Sequence, residues 1–370
     1  MICLYKERDI FKNGFTNVLN FAFTNVVYLV RKLNVTCKLK PKIRQNKMVE
    51  TLIKTLQQKY LIKTNTISKQ KGGWASLAYK IEDENEHFYF LKVYEKSRKS
   101  TSYLTEHIDL YLPIVDWLDN QTLLKGKIIR LIKTQSDDFR CEDENYIYVL
   151  FDYIKGETVG EKNLTKEQIT QLAEIVSQLH HLKKTPFDLS QISETFDLSF
   201  ISKLNNWIDK NLDQLKTEIK TVLQPNLSII KNQINEWYNL SNALKEKDLK
   251  YCLCHTDIHH WNLITDKQKL YLLDWEGIKF APPEADIFSI YQQPYFDLFI
   301  KRYYELNPDY QINETVLQYY LTSRKLQDIF EFIEQLQFDE LNSEEYKINL
   351  NYLKKEVDNI ISKPKNTASR

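Results

Sequence analysis

The feature that most restricts how this chain can fold is eleven residues long: CHTDIHHWNLI, residues 254–264. Strand-like apolar pieces flank it, YCLC before and KLYLLDW after. Ionisable groups are costly to bury without partners, so this much polarity between short apolar runs calls for a structured loop held by strands. Within the loop His255, Asp257 and Asn262 are spaced H-x-D-x-x-x-x-N. Asp274 ends the next strand, twelve residues beyond Asn262.

That spacing matches a kinase catalytic loop followed by a metal-binding aspartate. Asp257 lies where it can accept the proton of a substrate hydroxyl. Asn262 turns back to hold Mg2+, and Asp274 arrives on the next strand end to bridge metal and nucleotide phosphates. A zinc site is disfavoured, because His255, His259 and His260 lack a further clear ligand at helical spacing and form no H-E-x-x-H pattern. No glycine-flanked serine or cysteine nucleophile is present either.

The upstream half supplies what such a loop needs. Period-two patterning predicts strands in TNTISK, in 74–82 and 87–94, and again in 127–134 and 145–154. A helical segment near 101–119 stands between them, with Leu104, Ile108, Tyr111, Leu112 and Val115 on one face. Pro113 should kink or split it. Glycine is scarce, 7 in 370 residues, so the pair Gly72–Gly73 in KGGWAS stands out as a turn over phosphates. Lys92 in FYFLKVY is the strand lysine that contacts them. A carboxylate on the helix should hold Lys92, with Glu106 the first choice and Asp109 the second.

From residue 156 the pattern is mainly helical. One helix opens with a capping box, Thr165 to Gln168. The expected architecture is α+β: a two-lobed, protein-kinase-like fold with a small strand-rich N-lobe, a larger helical C-lobe and a hinge near 152–157. Residues 1–47 read as an extension of unknown role, 48–155 as the nucleotide-binding lobe, and 156–362 as the helical lobe with catalytic loop and acceptor site.

Composition removes other classes. Lys+Arg 51 against Asp+Glu 50 gives a net charge of +1, which argues against a dedicated nucleic-acid binder. The five cysteines are scattered and make no disulfide framework, which suits a reducing, cytoplasmic setting. Cys252 and Cys254 are expected on opposite faces of their strand, as small buried hydrophobes. The apolar stretch 15–30 is interrupted by Thr and Asn and is a poor membrane span. A peripheral membrane anchor is the lesser reading of residues 1–47.

With KGGWASLAYKI, FYFLKVY, YIYVLFDYIKGE, CHTDIHHWNLI, LYLLDWEG and PPEADIF in place, the chain resembles the aminoglycoside phosphotransferase and choline kinase-like family over roughly 48–340. Within it the chain looks most like the spectinomycin phosphotransferases. The resemblance implies Asp257 as catalytic base, Asn262 and Asp274 as Mg2+ ligands, and Lys92 on the phosphates of ATP. It implies a hinge at 151–154, with Asp152, Tyr153 and Ile154 beside adenine. It makes Asp286 and His255 supports of the loop rather than reacting groups. The chain departs from the pattern at Thr256, where glycine is usual, and at His260 and Trp261, where relatives carry smaller residues.

The implied activity is ATP-dependent phosphorylation of a hydroxyl on a small cationic acceptor, an aminocyclitol or aminoglycoside such as spectinomycin, hence antibiotic resistance. A metabolite kinase of the choline, ethanolamine or homoserine type and a non-catalytic nucleotide-binding scaffold are the alternatives. Trp261 could stack on the acceptor, and Asp328 and Glu331, three apart on one helix face, could meet its cation.

Overall fold

The computed structural model describes residues 47–70, 76–182, 184–266 and 269–361. The expected extension, apart from Lys47, and the Gly72–Gly73 turn lie outside these residues. The chain divides into two compact units at Thr64. In the first, residues 47–60 form α1, which buries Leu52, Leu56 and Tyr60 at helical spacing.

The second unit begins within β1 (Thr64–Lys69), followed by β2 (Leu77–Asp83) and β3 (Phe88–Glu95). The β2–β3 turn is fixed by Asp83, whose carboxylate accepts the N–H groups of Asn85 and His87, each at 2.9 Å. Then come α2 (Lys99–Leu104), α3 (Ile108–Gln121), β4 (Leu131–Ile132), β5 (Cys141–Glu142) and β6 (Tyr146–Asp152). The sheet order is β1-β2-β3-β6-β4, with β5 also on β6. Lys92 therefore sits in mid-sheet, opposite Ala78 on one side and Val149 on the other.

The expected helix is two helices, but the break falls at Thr105–His107 and not at Pro113. Pro113 lies inside α3, where burial of Ile108, Tyr111, Leu112 and Val115 holds the turns on either side of the missing N–H.

The chain then becomes helical: β7 (Glu157–Thr158), α4 (Lys166–His180), α5 (Ser199–Asp209), α6 (Thr217–Leu223) and α7 (Leu227–Lys245). The Thr165–Gln168 capping box is formed in both directions at the start of α4. Short strands follow: β8 (Cys252–Cys254), β9 (Leu263–Asp266), β10 (Lys269–Leu272) and β11 (Lys279–Ala281). The chain continues as α8 (Glu284–Tyr291), α9 (Phe296–Leu306), α10 (Glu314–Phe338) and α11 (Ser343–Ile361). One core joins the sheet to α3, α4 and the β9–β10 hairpin through Val149, Leu172, Leu263 and Leu272. A second lies among α5, α7, α10 and α11, around Trp237, Tyr319, Ile329 and Val357. Among the described residues no helix is long and apolar enough to cross a membrane.

The two strand cysteines correct the expectation made for them. Side chains alternate along a strand, so Cys252 and Cys254 share a face and Leu253 takes the other; the two Sγ atoms are 3.6 Å apart.

Candidate active site

Two antiparallel pairs position the loop. β8 pairs with β11, Cys254 opposite Lys279, and delivers His255. β9 pairs with β10, Leu263 opposite Leu272, so the residues just outside the hairpin meet: Leu273 N–H donates to Asn262 C=O at 2.9 Å. A separation of twelve residues thus becomes adjacency, and Asp274 follows at once.

The loop is braced from beneath by Asp286 on α8, fully buried. Its carboxylate accepts the N–H groups of His255 (3.1 Å) and Thr256 (2.6 Å) and bonds His180 Nε2 at 2.9 Å. His255 is equally buried. Its Nε2–H donates to Leu273 C=O at 2.7 Å and its Nδ1 accepts Asp257 N–H at 3.3 Å, which fixes a neutral tautomer. Burial pushes its pKa down, consistent with that form. The bonding of both residues is that of supports.

Thr256 adopts φ 70°, a left-handed conformation that a β-branched residue rarely takes. Its N–H on Asp286 and its Oγ1–H on Gly277 C=O (2.7 Å) hold it there. The same hydroxyl leaves no room for a side chain at Gly277, since a Cβ there would lie 2.6 Å from Thr256 Oγ1 and something would have to shift. The residue that departs from the family pattern at 256 has a matched glycine across the turn. Asp274 is also left-handed, at φ 65°.

Asp257 is half-buried and heavily partnered. Asn262 Nδ2 donates to its carboxylate at 3.0 Å and to its C=O at 2.9 Å; His259 Nε2 lies at 3.3 Å and Arg324 Nη1 at 3.4 Å. Burial alone would raise its pKa, but the hydrogen bond and charge of His259, with the charge of Arg324, pull it far below the ordinary aspartate value. Asp257 is therefore ionised at any physiological pH. With Nδ2 engaged, the Asn262 Oδ1 is turned away from Asp257. That oxygen and the partly exposed Asp274 carboxylate are hard donors of the kind Mg2+ takes, and they fit it.

Lys92 meets this group from the sheet. Its Nζ bonds Asp274 Oδ1 at 2.8 Å and also Glu276 Oε1, which additionally accepts the Tyr94 hydroxyl. Burial works against the Lys92 charge, but Asp274 and Glu276 outweigh it and raise the pKa. Glu276 is pushed up by burial against the pull of Lys92. The expected partner of Lys92 is corrected here. Glu106 stands exposed on the turn between α2 and α3, and Asp109 is held by Arg140 at 2.6 and 2.8 Å. The helix breaks about two turns earlier than Pro113 suggested, which carries Glu106 off the lysine. At the expected hinge, Asp152 N–H donates to Arg130 C=O and Tyr153 N–H to Phe88 C=O, while Ile154 C=O accepts from Gly156 N–H.

The far side of Asp257 faces α10. Arg324 Nε bonds Asp328 Oδ1 at 2.9 Å, so one guanidinium spans Asp257 and Asp328. Asp328 is pushed up to about 7, first by burial and then by Glu331, Glu356 and Asp257, against Arg324. Burial also raises Glu331, which accepts from Gln327 at 2.8 Å. Trp261 is 64% exposed and lies along Gly160, whose φ of 54° and missing Cβ leave room for the ring. Trp275, by contrast, is buried edge-on to His255 and is closed to any ligand. His260 is taken up by Gly160 C=O and the Tyr295 hydroxyl, so the three loop histidines do three separate jobs.

Sequence reasoning missed Glu276, Arg324 and His180. Glu276 had a signal, two residues beyond Asp274 in the same turn. Arg324 is four residues before Asp328 on one helix face. His180, at the end of α4, had none.

Strand-rich sheet, braced H-x-D loop and lysine–aspartate clamp describe a kinase-like phosphotransferase. The phosphotransferase enzyme family matches residues 66–321, and the chain belongs to it; it is a small-molecule kinase. Among solved structures, a spectinomycin phosphotransferase, APH(9)-Ia, in complex with ADP and spectinomycin superposes with a TM-score of 0.68 at 21% identity, covering 85% of this chain and 97% of that one. An amicoumacin kinase in complex with AMP-PNP and Ca2+ gives 0.58 at 12% identity, covering 84% and 93%. A microcompartment-associated aminopropanol kinase gives 0.54 at 13%, covering 85% and 96%. These likenesses establish the two-lobed α+β fold. No curated protein matches the chain by sequence.

Proposed function

We propose that the protein transfers the γ-phosphoryl group of ATP to a hydroxyl of a small cationic acceptor, with an aminocyclitol such as spectinomycin the leading candidate. The observation that carries this reading is the meeting of Asp257, Asn262, Asp274 and Lys92 at one hairpin end. Lys92 holds the nucleotide phosphates, and the hinge at Asp152–Ile154 takes the base. The acceptor oxygen attacks the γ-phosphorus as the bond to the bridging oxygen of ADP breaks, and the hydroxyl proton passes to Asp257. Asn262 and Asp274 are the residues that would hold Mg2+, which when bound would neutralise charge on the phosphates. Asp286 and His255 keep the loop in register. The expected lobe boundaries, 48–155 and 156–362, are retained within this proposal.

The cationic acceptor is supported by Arg324, a cation already seated between Asp257 and Asp328. An ammonium group entering over the loop would find the same carboxylates, with Trp261 exposed beside it. In the spectinomycin phosphotransferase the ligands are ADP and spectinomycin, which makes that compound the first to try. The test is a panel of spectinomycin, aminoglycosides, choline, homoserine and neutral sugars with ATP and Mg2+, read by the mass increase of one phosphate. Turnover of neutral acceptors alone would refute the cationic reading. No turnover of any acceptor, with ATP still bound, would favour a nucleotide-binding scaffold.

A further inference from the structure

Beneath the loop brace lies a group that the kinase chemistry does not use. Cys252 and Cys254 on β8 point to the same side as His180 at the end of α4. Their Sγ atoms are 3.6 Å apart, Cys254 Sγ is 3.8 Å from His180 Nε2, and all three donor atoms lie within 4.8 Å of one another. Ligands on a tetrahedral zinc ion, with bonds of about 2.3 Å to sulfur and about 2.0 Å to nitrogen, sit roughly 3.5–3.8 Å apart. We propose that His180, Cys252 and Cys254 form a site for a soft divalent metal of the zinc class, and that its occupancy releases the brace of the catalytic loop.

The surroundings suit such an ion. Two thiolates cancel its charge, so nothing unpaired is buried. Asp286 Oδ2, 2.9 Å from His180 Nε2, is at hand as a fourth ligand. The other imidazole nitrogen, Nδ1, bonds the Tyr303 hydroxyl at 2.6 Å, the outer partner that a metal-bound histidine requires. The thiols now give only long bonds, 3.5 Å from each to Ala281 C=O and 3.5 Å from Cys254 to Pro282 C=O, which a metal can replace; burial pushes the Cys254 thiol well up, so it is the ion that drives its deprotonation. Binding expels the two thiol protons and shifts the imidazole proton from Nε2 to Nδ1.

That proton shift is the coupling. Without metal, His180 Nε2–H donates to Asp286, which in turn holds His255 and Thr256. With metal on Nε2 that bond is gone and the metal competes for the carboxylate that fixes the loop. The binding claim stands apart from the proposed function; the coupling claim rests on it.

Co2+ is the probe. The reduced, chelator-treated full chain should take up one equivalent with a thiolate-to-cobalt charge-transfer band, bleached by Zn2+. The band should persist in C3S/C37S/C141S and disappear in C252A/C254A. A cooperative melting transition checks that the double variant is folded; if it is not, C252S should still weaken the band. Zn2+ should slow phosphotransfer at least tenfold in the wild type, with no such loss in C252A/C254A. Absence of the band in folded wild type, or its survival in C252A/C254A, overturns the site. Full turnover with Zn2+ bound overturns the coupling while leaving both the site and the kinase assignment intact.

Discussion

Two clamps of the same design stand on either side of the catalytic loop. On the phosphate side Lys92 lies between Asp274 and Glu276; on the far side Arg324 lies between Asp257 and Asp328. The Lys92 side chain is 15% exposed and that of Arg324 41%. The first clamp takes both carboxylates from one turn after β10, so backbone geometry sets it. The second links a loop to a helix through a long side chain, at 3.4 Å from Asp257, and water or a ligand can replace it. Under the proposed function, the clamp that meets ATP is built rigidly, whereas the clamp that meets the acceptor is adjustable.

The comparison breaks most sharply at Asp257. Asp257→Asn should lower kcat by about two to four orders of magnitude, the usual worth of a positioned base, while the affinity for ATP changes little. Equal loss of ATP affinity, measured by calorimetry, would mean that the two clamps are not separable. Lys92→Met should act on the other side. It strands two carboxylates around a buried position and should cost about 3–5 kcal/mol of stability along with nucleotide binding. Arg324→Met, at the open clamp, should cost under about 1 kcal/mol. Denaturant midpoints of the two variants decide whether the difference in burial has the expected consequence.

Legibility followed the same division. Asp257, Asn262, Asp274 and Lys92 were readable because short backbone paths dictate their spacing: one loop, one hairpin and one strand. Asp286 and His255 came only through resemblance, since buried support leaves no periodic trace. Glu106 was misread because the helix register depended on where the segment broke, and Thr105–His107 carries no strong breaker. Arg324 was passed over because a charge on a helix face looks the same whether it is solvated or spans two carboxylates. The same-face cysteines were a misjudged strand period. The fold itself was legible from the switch of patterning at FDYIKGE.

The rigid side can be probed without touching a charge. Gly277→Ala places a methyl group 2.6 Å from Thr256 Oγ1 and should destabilise by about 1–3 kcal/mol. Thr256→Gly gives up the bond to Gly277 C=O but relieves the left-handed strain, so it should be nearly neutral. The double variant should then be clearly more stable than Gly277→Ala alone. A double-mutant cycle in urea reads this coupling, and additive losses would show that the turn yields elsewhere.

The last effect belongs to the open clamp and is a matter of pH. Asp328 is pushed up to about 7 by burial, with Glu331, Glu356 and Asp257 adding to the rise and Arg324 opposing it. In the unfolded chain an aspartate titrates near 4. Between about 4 and about 7 the folded state therefore holds one proton more than the unfolded state, and stability falls as pH rises through that window and is level above it. Asp328→Asn removes this slope: its melting temperature relative to wild type should rise by a few degrees from about pH 5 to about pH 8. The acceptor should respond in the opposite sense. Above about pH 7 the ionised Asp328 can hold an ammonium group in competition with Arg324, so the KM of a cationic acceptor should fall several-fold across that range. A neutral hydroxyl acceptor should show no such fall, and neither should Asp328→Asn with any acceptor. If the KM of the cationic acceptor proved level with pH while the stability slope was present, Asp328 would serve only to anchor Arg324, and the cation would have to be recognised elsewhere on the helical face.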